Sequence, residues 1–167
     1  MPVGRRLPAS TWPGTAERPS TPLVASPLLR AVETAQAVAS RAGVELEIDS
    51  RLIDRDYGRW AGQPKEVIEA QWGSLDEAPG VEPEAEVRAR AGQALADIAR
   101  RVEGELAVVV SHDAVIRVVM ATLEPSIKVP DHLPLEPGRF NTLECRAGRW
   151  TAVSSNEIPD AAHPPNS

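Results

Sequence analysis

The sequence predicts an α/β domain of three layers, with a mostly parallel sheet between two layers of helices. Three observations predict it. Short apolar stretches alternate with longer ones in which apolar residues recur every three or four positions, the pattern of successive strand and helix units. At 167 residues, 42% of them hydrophobic, the chain is long enough to close one core and short for two. Two apolar stretches, Leu23-Val24-Ala25 and Leu106 to Val110, run straight into the polar openings Ser26-Pro27 and Ser111-His112-Asp113. The carboxyl ends of parallel strands do the same where they feed helices.

In chain order, residues 1–22 hold Pro2, Pro8, Pro13, Pro19 and Pro22 among Gly, Ser and Thr, with no apolar period, and are expected to be irregular. Leu23-Val24-Ala25 is a strand. Ser26 is the expected N-cap and Pro27 the first position of a helix that runs to Gly43 with Leu28, Val32, Ala35 and Ala39 inward. Val44, Leu46 and Ile48 alternate with Glu45, Glu47 and Asp49, as in a half-buried strand. A short helix from Pro64 to Gly73 turns Val67, Ile68 and Trp72 inward. A longer one, Glu84 to Val102, is marked by Val87, Ala91, Leu95, Ile98 and Val102, with Gly104 as its stop. Leu106 to Val110 is continuous and largely β-branched, the composition of a strand buried on both faces, and Ala114 to Leu123 is an apolar helix. Phe140 to Arg146 and Trp150 to Ile158 form a hairpin about Ala147-Gly148, and Pro159, Pro164 and Pro165 mark 159–167 as a disordered tail. The domain is therefore expected over residues 23–158.

Eighteen Lys and Arg against 24 Asp and Glu give a net charge of −6, so no positive field is available to hold nucleic acid. The longest aliphatic run, Leu106 to Val110, is far short of the roughly 20 residues of a membrane helix. Cys145 has no second cysteine to pair with, and Arg5-Arg6 is not followed by an apolar core of the signal-peptide kind. A cytoplasmic protein is expected, with its oligomeric state left open.

The two strand-to-helix junctions are where anion chemistry is expected, because helix N-termini offer unpaired N–H groups and a positive dipole end. Arg30 lies in the first turn after one junction and is able to grip a phosphate through paired hydrogen bonds. His112 sits at the other, with Ser111 or Asp113 as N-cap. Taken singly, each also fits an ordinary solvated arginine and an ordinary rim histidine. Ser111-His112-Asp113 is not a serine triad, since consecutive side chains at a strand end point to opposite faces. His112, His132 and His163 lack metal-ligand spacing and Cys145 has no partner, so no metal is expected.

Three segments resemble the histidine phosphatase superfamily, the phosphoglycerate mutase-like proteins. Leu23-Val24-Ala25-Ser26-Pro27-Leu28-Leu29-Arg30-Ala31-Val32-Glu33-Thr34-Ala35 is similar to that family's "SPLxRAxxTA" segment. Leu52 to Gly62, LIDRDYGRWAG, resembles "LxExxxGxWEG", and Val109 to Arg117, VVSHDAVIR, resembles "VVSHGGVIR". They occur in the family's order and cover about residues 23–125, with the closing hairpin a further match.

The resemblance implies a phosphoglycerate mutase-like fold and hydrolysis of phosphate monoesters through a phosphohistidine, with no cofactor. It implies that Arg30 binds phosphate, with Ser26 and Ser111 beside it, and that His112 is the second histidine of the pocket, donating to the transferring group. Asp54 matches the glutamate that protonates the leaving oxygen. A free Asp titrates at about 3.9, so it donates near neutrality only if burial and the phosphate charge raise that value. Asp56 is a possible substitute, or else an ordinary loop residue. Pro79-Gly80-Val81-Glu82-Pro83 echoes the family's "PGGES" turn, making Glu82 a site candidate with a structural role as the alternative.

The departure lies at the front. The family opens with a strand ending in Arg-His-Gly, whose histidine accepts the phosphoryl group, and no histidine precedes His112 here. The first βα unit is thus expected to be missing or degenerate, and the chain to be impaired: a truncated or mis-started phosphatase, or a non-catalytic binder of phosphate or a phosphorylated ligand. The expected partner is a small phosphate ester or inorganic phosphate; hydrolase is preferred to mutase. A further consequence is an unpaired edge beside residues 106–110, or a poor substitute there formed by residues 1–22.

Overall fold

A computed structural model describes residues 21–102, 105–123, 135 and 138–158. Residues 1–20 of the irregular segment expected over 1–22, the tail over 159–167 and the helix stop at Gly104 lie outside the described residues.

Strand β1 (Leu23–Ala25) is the middle of a three-stranded parallel sheet, flanked by β2 (Leu46–Ile48) and β3 (Val108–Val110). Leu23 stands opposite Leu46 and Val108, and Ala25 opposite Ile48 and Val110. Alternation along the strands then decides what each face buries. Leu23, Ala25, Val108 and Val110 pack against Ala35 and Ala39 of helix α1 (Leu29–Ala42). Val24 and Val109 point the other way, onto Ala94 and Ile98 of helix α3 (Glu84–Arg101). The sheet thus carries α1 on one face and α3 on the other. A second stripe of α3, Val87 and Ala91, takes Val115 and Val118 of helix α4 (Asp113–Leu123), so α3 fastens α4 to the body of the domain.

Several expectations are corrected. Helix α1 begins two residues later than expected: its N-cap is Leu28, with extended ψ of 134°, and not Ser26. The Ser26 Oγ accepts the Leu28 N–H at 3.3 Å, but Leu28 itself stays extended, so the helix opens only at Leu29. The other end is as expected, with Gly43 at φ 68° donating its N–H to the Ala39 carbonyl. The strand expected over Leu106 to Val110 narrows to three residues that are only partly buried, and Leu106 is 67% exposed. Among the described residues β3 pairs with β1 alone; of residues 1–22, the expected substitute at its other edge, 1–20 lie outside the description. Ile48, on β2, an outer strand among the described residues, is 50% exposed.

Helix α2 (Lys65–Trp72) buries Ile68 and leaves Val67 exposed, since adjacent helical positions do not share a face. Ile68 packs with Ala78, Val81, Tyr57, Trp60 and Trp72 under the loop that follows β2. In that loop Gly58, at φ 51°, lies so close to Gly80 that a Cβ would come within 2.4 Å of the Gly80 carbonyl oxygen. The hairpin is as expected: β4 (Phe140–Arg146) and β5 (Arg149–Glu157) turn through Ala147 and Gly148, both at positive φ, as a two-residue turn of right-handed strands requires. It forms a sheet of its own. No helix among the described residues is long and apolar enough to cross a membrane.

Candidate active site

Parallel pairing brings the ends of β1 and β3 side by side. Beyond Ala25 the pairing goes one step further, with the Ser26 N–H donating to the Val110 carbonyl at 2.9 Å. That step places Ser26 next to His112. The Ser26 Oγ lies 2.7 Å from His112 Nε2 and also accepts the Leu28 N–H at 3.3 Å. Both residues are buried, Ser26 fully.

The third member comes from the loop after β2. Asp54 Oδ2 accepts a hydrogen bond from Arg30 Nη2 at 2.6 Å and lies 3.7 Å from His112 Nδ1, while its Oδ1 accepts the Arg55 N–H at 2.9 Å. A carboxylate facing Nδ1 favours the tautomer with the proton on that nitrogen, leaving Nε2 to accept from the Ser26 hydroxyl. The imidazole therefore presents an N–H toward the space between Asp54 and Arg30. Burial pushes the His112 pKa below its ordinary 6.5; Asp54 opposes the shift, and Arg30 and Arg90 add to it.

The loop that carries Asp54 is fixed by Arg90 of α3. All five guanidinium protons are used: Nε on Glu82 Oε1, Nη2 on Glu82 Oε2 and the Asp54 carbonyl, Nη1 on the carbonyls of Arg51 and Ile53. The intervening carbonyl, Leu52, accepts from Ser111 Oγ at 2.9 Å. Four successive carbonyls thus have donors, and the Asp54 side chain leaves from a segment with little freedom to move. The Arg90 guanidinium holds the Glu82 carboxyl below the usual carboxylate range, against the opposing effect of burial. Nearby, the buried Arg55 pairs with Asp76 and donates Nε–H to the Glu82 carbonyl at 2.8 Å.

The structure brings together Arg30, Asp54, His112 and Ser26, which stand far apart in sequence. Ser111 is adjacent, with its hydroxyl on the Asp54 loop. Asp56 lies apart from the cluster; its Oδ1 accepts the Gly58 N–H and its own N–H donates to Glu82 Oε2. Glu82 takes the structural role, bound to Arg90 and Asp56. Neither Ser111 nor Asp113 is the N-cap of α4: Asp113 is its first residue, the His112 carbonyl accepts the Ile116 N–H, and the Asp113 carboxylate holds Arg117 Nε at 2.9 Å. Arg90 was not legible in sequence. It stands two residues after Arg88, an ordinary helix-surface arginine paired with Glu84, and nothing local distinguishes them.

A cleft of about 290 Å³ opens beside Asp54, lined by Tyr57, Trp60, Gln63, Lys65 and Asp113 among others. Lys65 Nζ lies 3.6 Å from Asp113 Oδ2 at its edge. Among the described residues no group of three or more His, Cys, Asp or Glu side chains is placed to hold a metal ion.

No curated protein sequence matches the chain significantly. Among solved structures, Bacillus stearothermophilus YhfR superposes with a TM-score of 0.67 at 25% identity, covering 84% of this chain and 76% of its own. A mycobacterial glucosyl-3-phosphoglycerate phosphatase, solved with inorganic phosphate, gives 0.68 at 22%, covering 84% and 78%. A phosphoglycerate mutase from Bacillus anthracis gives 0.73 at 18%, covering 83% and 73%. The last two likenesses bear on fold alone. The family model described as histidine phosphatase superfamily, branch 1, matches residues 3–158, and so includes most of the N-terminal stretch that the sequence pattern set apart. With that match spanning nearly the whole chain, and with its three motif segments folded around one cluster, the chain belongs to the histidine phosphatase superfamily.

Proposed function

We propose that the chain binds the phosphoryl group of a small phosphate monoester, or inorganic phosphate, between Arg30 and His112. The observation that carries this reading is the convergence of the Arg30 guanidinium, the His112 Nδ1–H and the Asp54 carboxyl on one space at the carboxyl end of a parallel sheet. Arg30 supplies a charge-assisted hydrogen bond and His112 a second donor. Asp54 is placed to protonate the leaving oxygen, and the cleft beside it would take the rest of the ester. Ser26 and Ser111 act by positioning, since their hydroxyls are engaged by His112 and the Leu52 carbonyl. The binding of inorganic phosphate and of vanadate by the mycobacterial phosphatase supports this ligand class. A cytoplasmic location belongs to the same proposal.

Turnover through a phosphohistidine is proposed to be weak. Residues 1–111 contain no histidine, and His112, with Nε2 on Ser26, is set to support a transferring group and not to attack it. A phosphate-binding protein without turnover is therefore the second reading. The test is a thermal melt with millimolar phosphate or vanadate at low salt, alongside an aryl phosphate assay. Both oxyanions should raise the melting temperature, Arg30→Ala should diminish the rise, and hydrolysis should stay near the blank. No rise with either oxyanion would sink the binding proposal; robust hydrolysis by the wild-type chain would sink the proposal of weak turnover.

A further inference from the structure

We infer that Asp54 makes the site selective for oxyanions that carry a proton, so that phosphate and its monoesters are accepted and sulfate is rejected. This rests on the oxyanion reading above. Asp54 Oδ2 lies 2.6 Å from Arg30 Nη2 and 3.7 Å from His112 Nδ1, so the carboxylate stands between the two donors that are to hold the anion. An anion held by both donors comes into contact with that carboxylate.

The carboxylate has little room to withdraw. Its Oδ1 accepts the Arg55 N–H, and the carbonyls of residues 51, 53 and 54 are held by Arg90, with that of Leu52 held by Ser111. Nor do other nearby cations offset its charge. Arg90 is matched by Glu82, Arg55 by Asp76, and Lys65 lies against Asp113.

Two anionic oxygens in contact repel each other strongly in a partly buried site. One proton between them converts the repulsion into a charge-assisted O–H···O⁻ hydrogen bond. A phosphate monoester, with a second pKa of about 6, brings that proton readily near neutrality. It stays on the anion and is donated to Asp54 Oδ2, and no covalent bond changes. Sulfate holds no proton in this range and has none to offer. With sulfate the like-charge contact at Asp54 is not relieved, which weakens binding at neutral pH.

The test is titration calorimetry on the full chain at pH 7, with potassium phosphate and potassium sulfate at matched ionic strength. Phosphate should bind at least about tenfold more tightly than sulfate, a difference of about 1.4 kcal/mol. Asp54→Asn, whose neutral amide also donates, should bring the two affinities within about threefold of each other, chiefly by strengthening sulfate, since the like-charge contact is removed. Asp54→Glu keeps the carboxyl and should keep the preference, which provides a result even if the Asn variant folds poorly. Equal affinities in the wild-type chain, or an undiminished ratio in a folded Asp54→Asn, would overturn this inference while leaving the oxyanion site standing. Binding of neither anion would remove the site itself, and the inference with it.

Discussion

His112 Nε2 and Ser26 Oγ lie 2.7 Å apart across a sequence separation of 86 residues. Parallel pairing of β1 with β3 sets this contact, because the register that puts Ala25 opposite Val110 carries the next residues of both strands into reach. The serine hydroxyl holds the imidazole by one nitrogen and leaves the other facing Arg30 and Asp54.

Removing that hydroxyl should be costly. In Ser26→Ala the buried Nε2 loses its partner, and leaving such a group unsatisfied costs about 1–3 kcal/mol. Urea denaturation should show the loss, and phosphate affinity should fall with it as the ring loses its orientation. A variant as stable as the wild type would show that the hydroxyl does not hold the ring.

Stability should also depend on pH through His112. Its folded pKa lies below the ordinary 6.5, principally through burial, so the unfolded chain binds the proton more readily. The contribution is fully present above pH 6.5 and is lost as pH falls from there through the folded value. Denaturation free energies measured between pH 8 and 5 should decline over the lower part of that range. In His112→Gln the decline should be shallower, and an unchanged profile would refute the assignment.

Arg90 should be the most sensitive residue that touches neither anion donor. Arg90→Met keeps much of the bulk but strips donors from three carbonyls and leaves the partly buried Glu82 carboxylate unpaired. Breaking one partner of a buried pair costs about 3–5 kcal/mol, and a figure of about 3 is expected for this partly exposed one. Arg90→Lys should recover only part of it, because a lysine has three protons where five are used. Full recovery by lysine in chemical denaturation would count against the clamp.

At Gly58 the obstacle is steric. A Cβ there meets the Gly80 carbonyl oxygen at 2.4 Å, on a backbone at φ 51°. Gly58→Ala should cost about 2–4 kcal/mol, from the left-handed conformation and the forced separation of the two loops. Gly73→Ala, with nothing within 4 Å of its Cβ and only the positive φ to bear, should cost less. A reversed order in thermal melts would show that the loop contact is not held.

Local chemistry in the sequence determined much of this protein. The α1 stop at Gly43, the span of α3 and the Ala147-Gly148 turn follow from residue type and periodicity, because each is set within a few residues. The motif segments likewise pointed to Arg30, Asp54 and His112 one at a time. Tertiary structure decided what lies between distant positions. Arg90 and Arg88 differ only in which face of α3 each occupies and what lies opposite, and one is a five-bond clamp while the other pairs along its own helix. Helix α1 opens only past the extended Leu28, and the Ser26 hydroxyl before it meets His112 from the loop after β3. Leu106 to Val110 is less buried than its composition suggests, because strand burial depends on neighbours, and among the described residues only β1 pairs with β3. Side-chain hydrogen bonds and burial are pairwise quantities between elements, and a periodic pattern along one element holds only its own half of each.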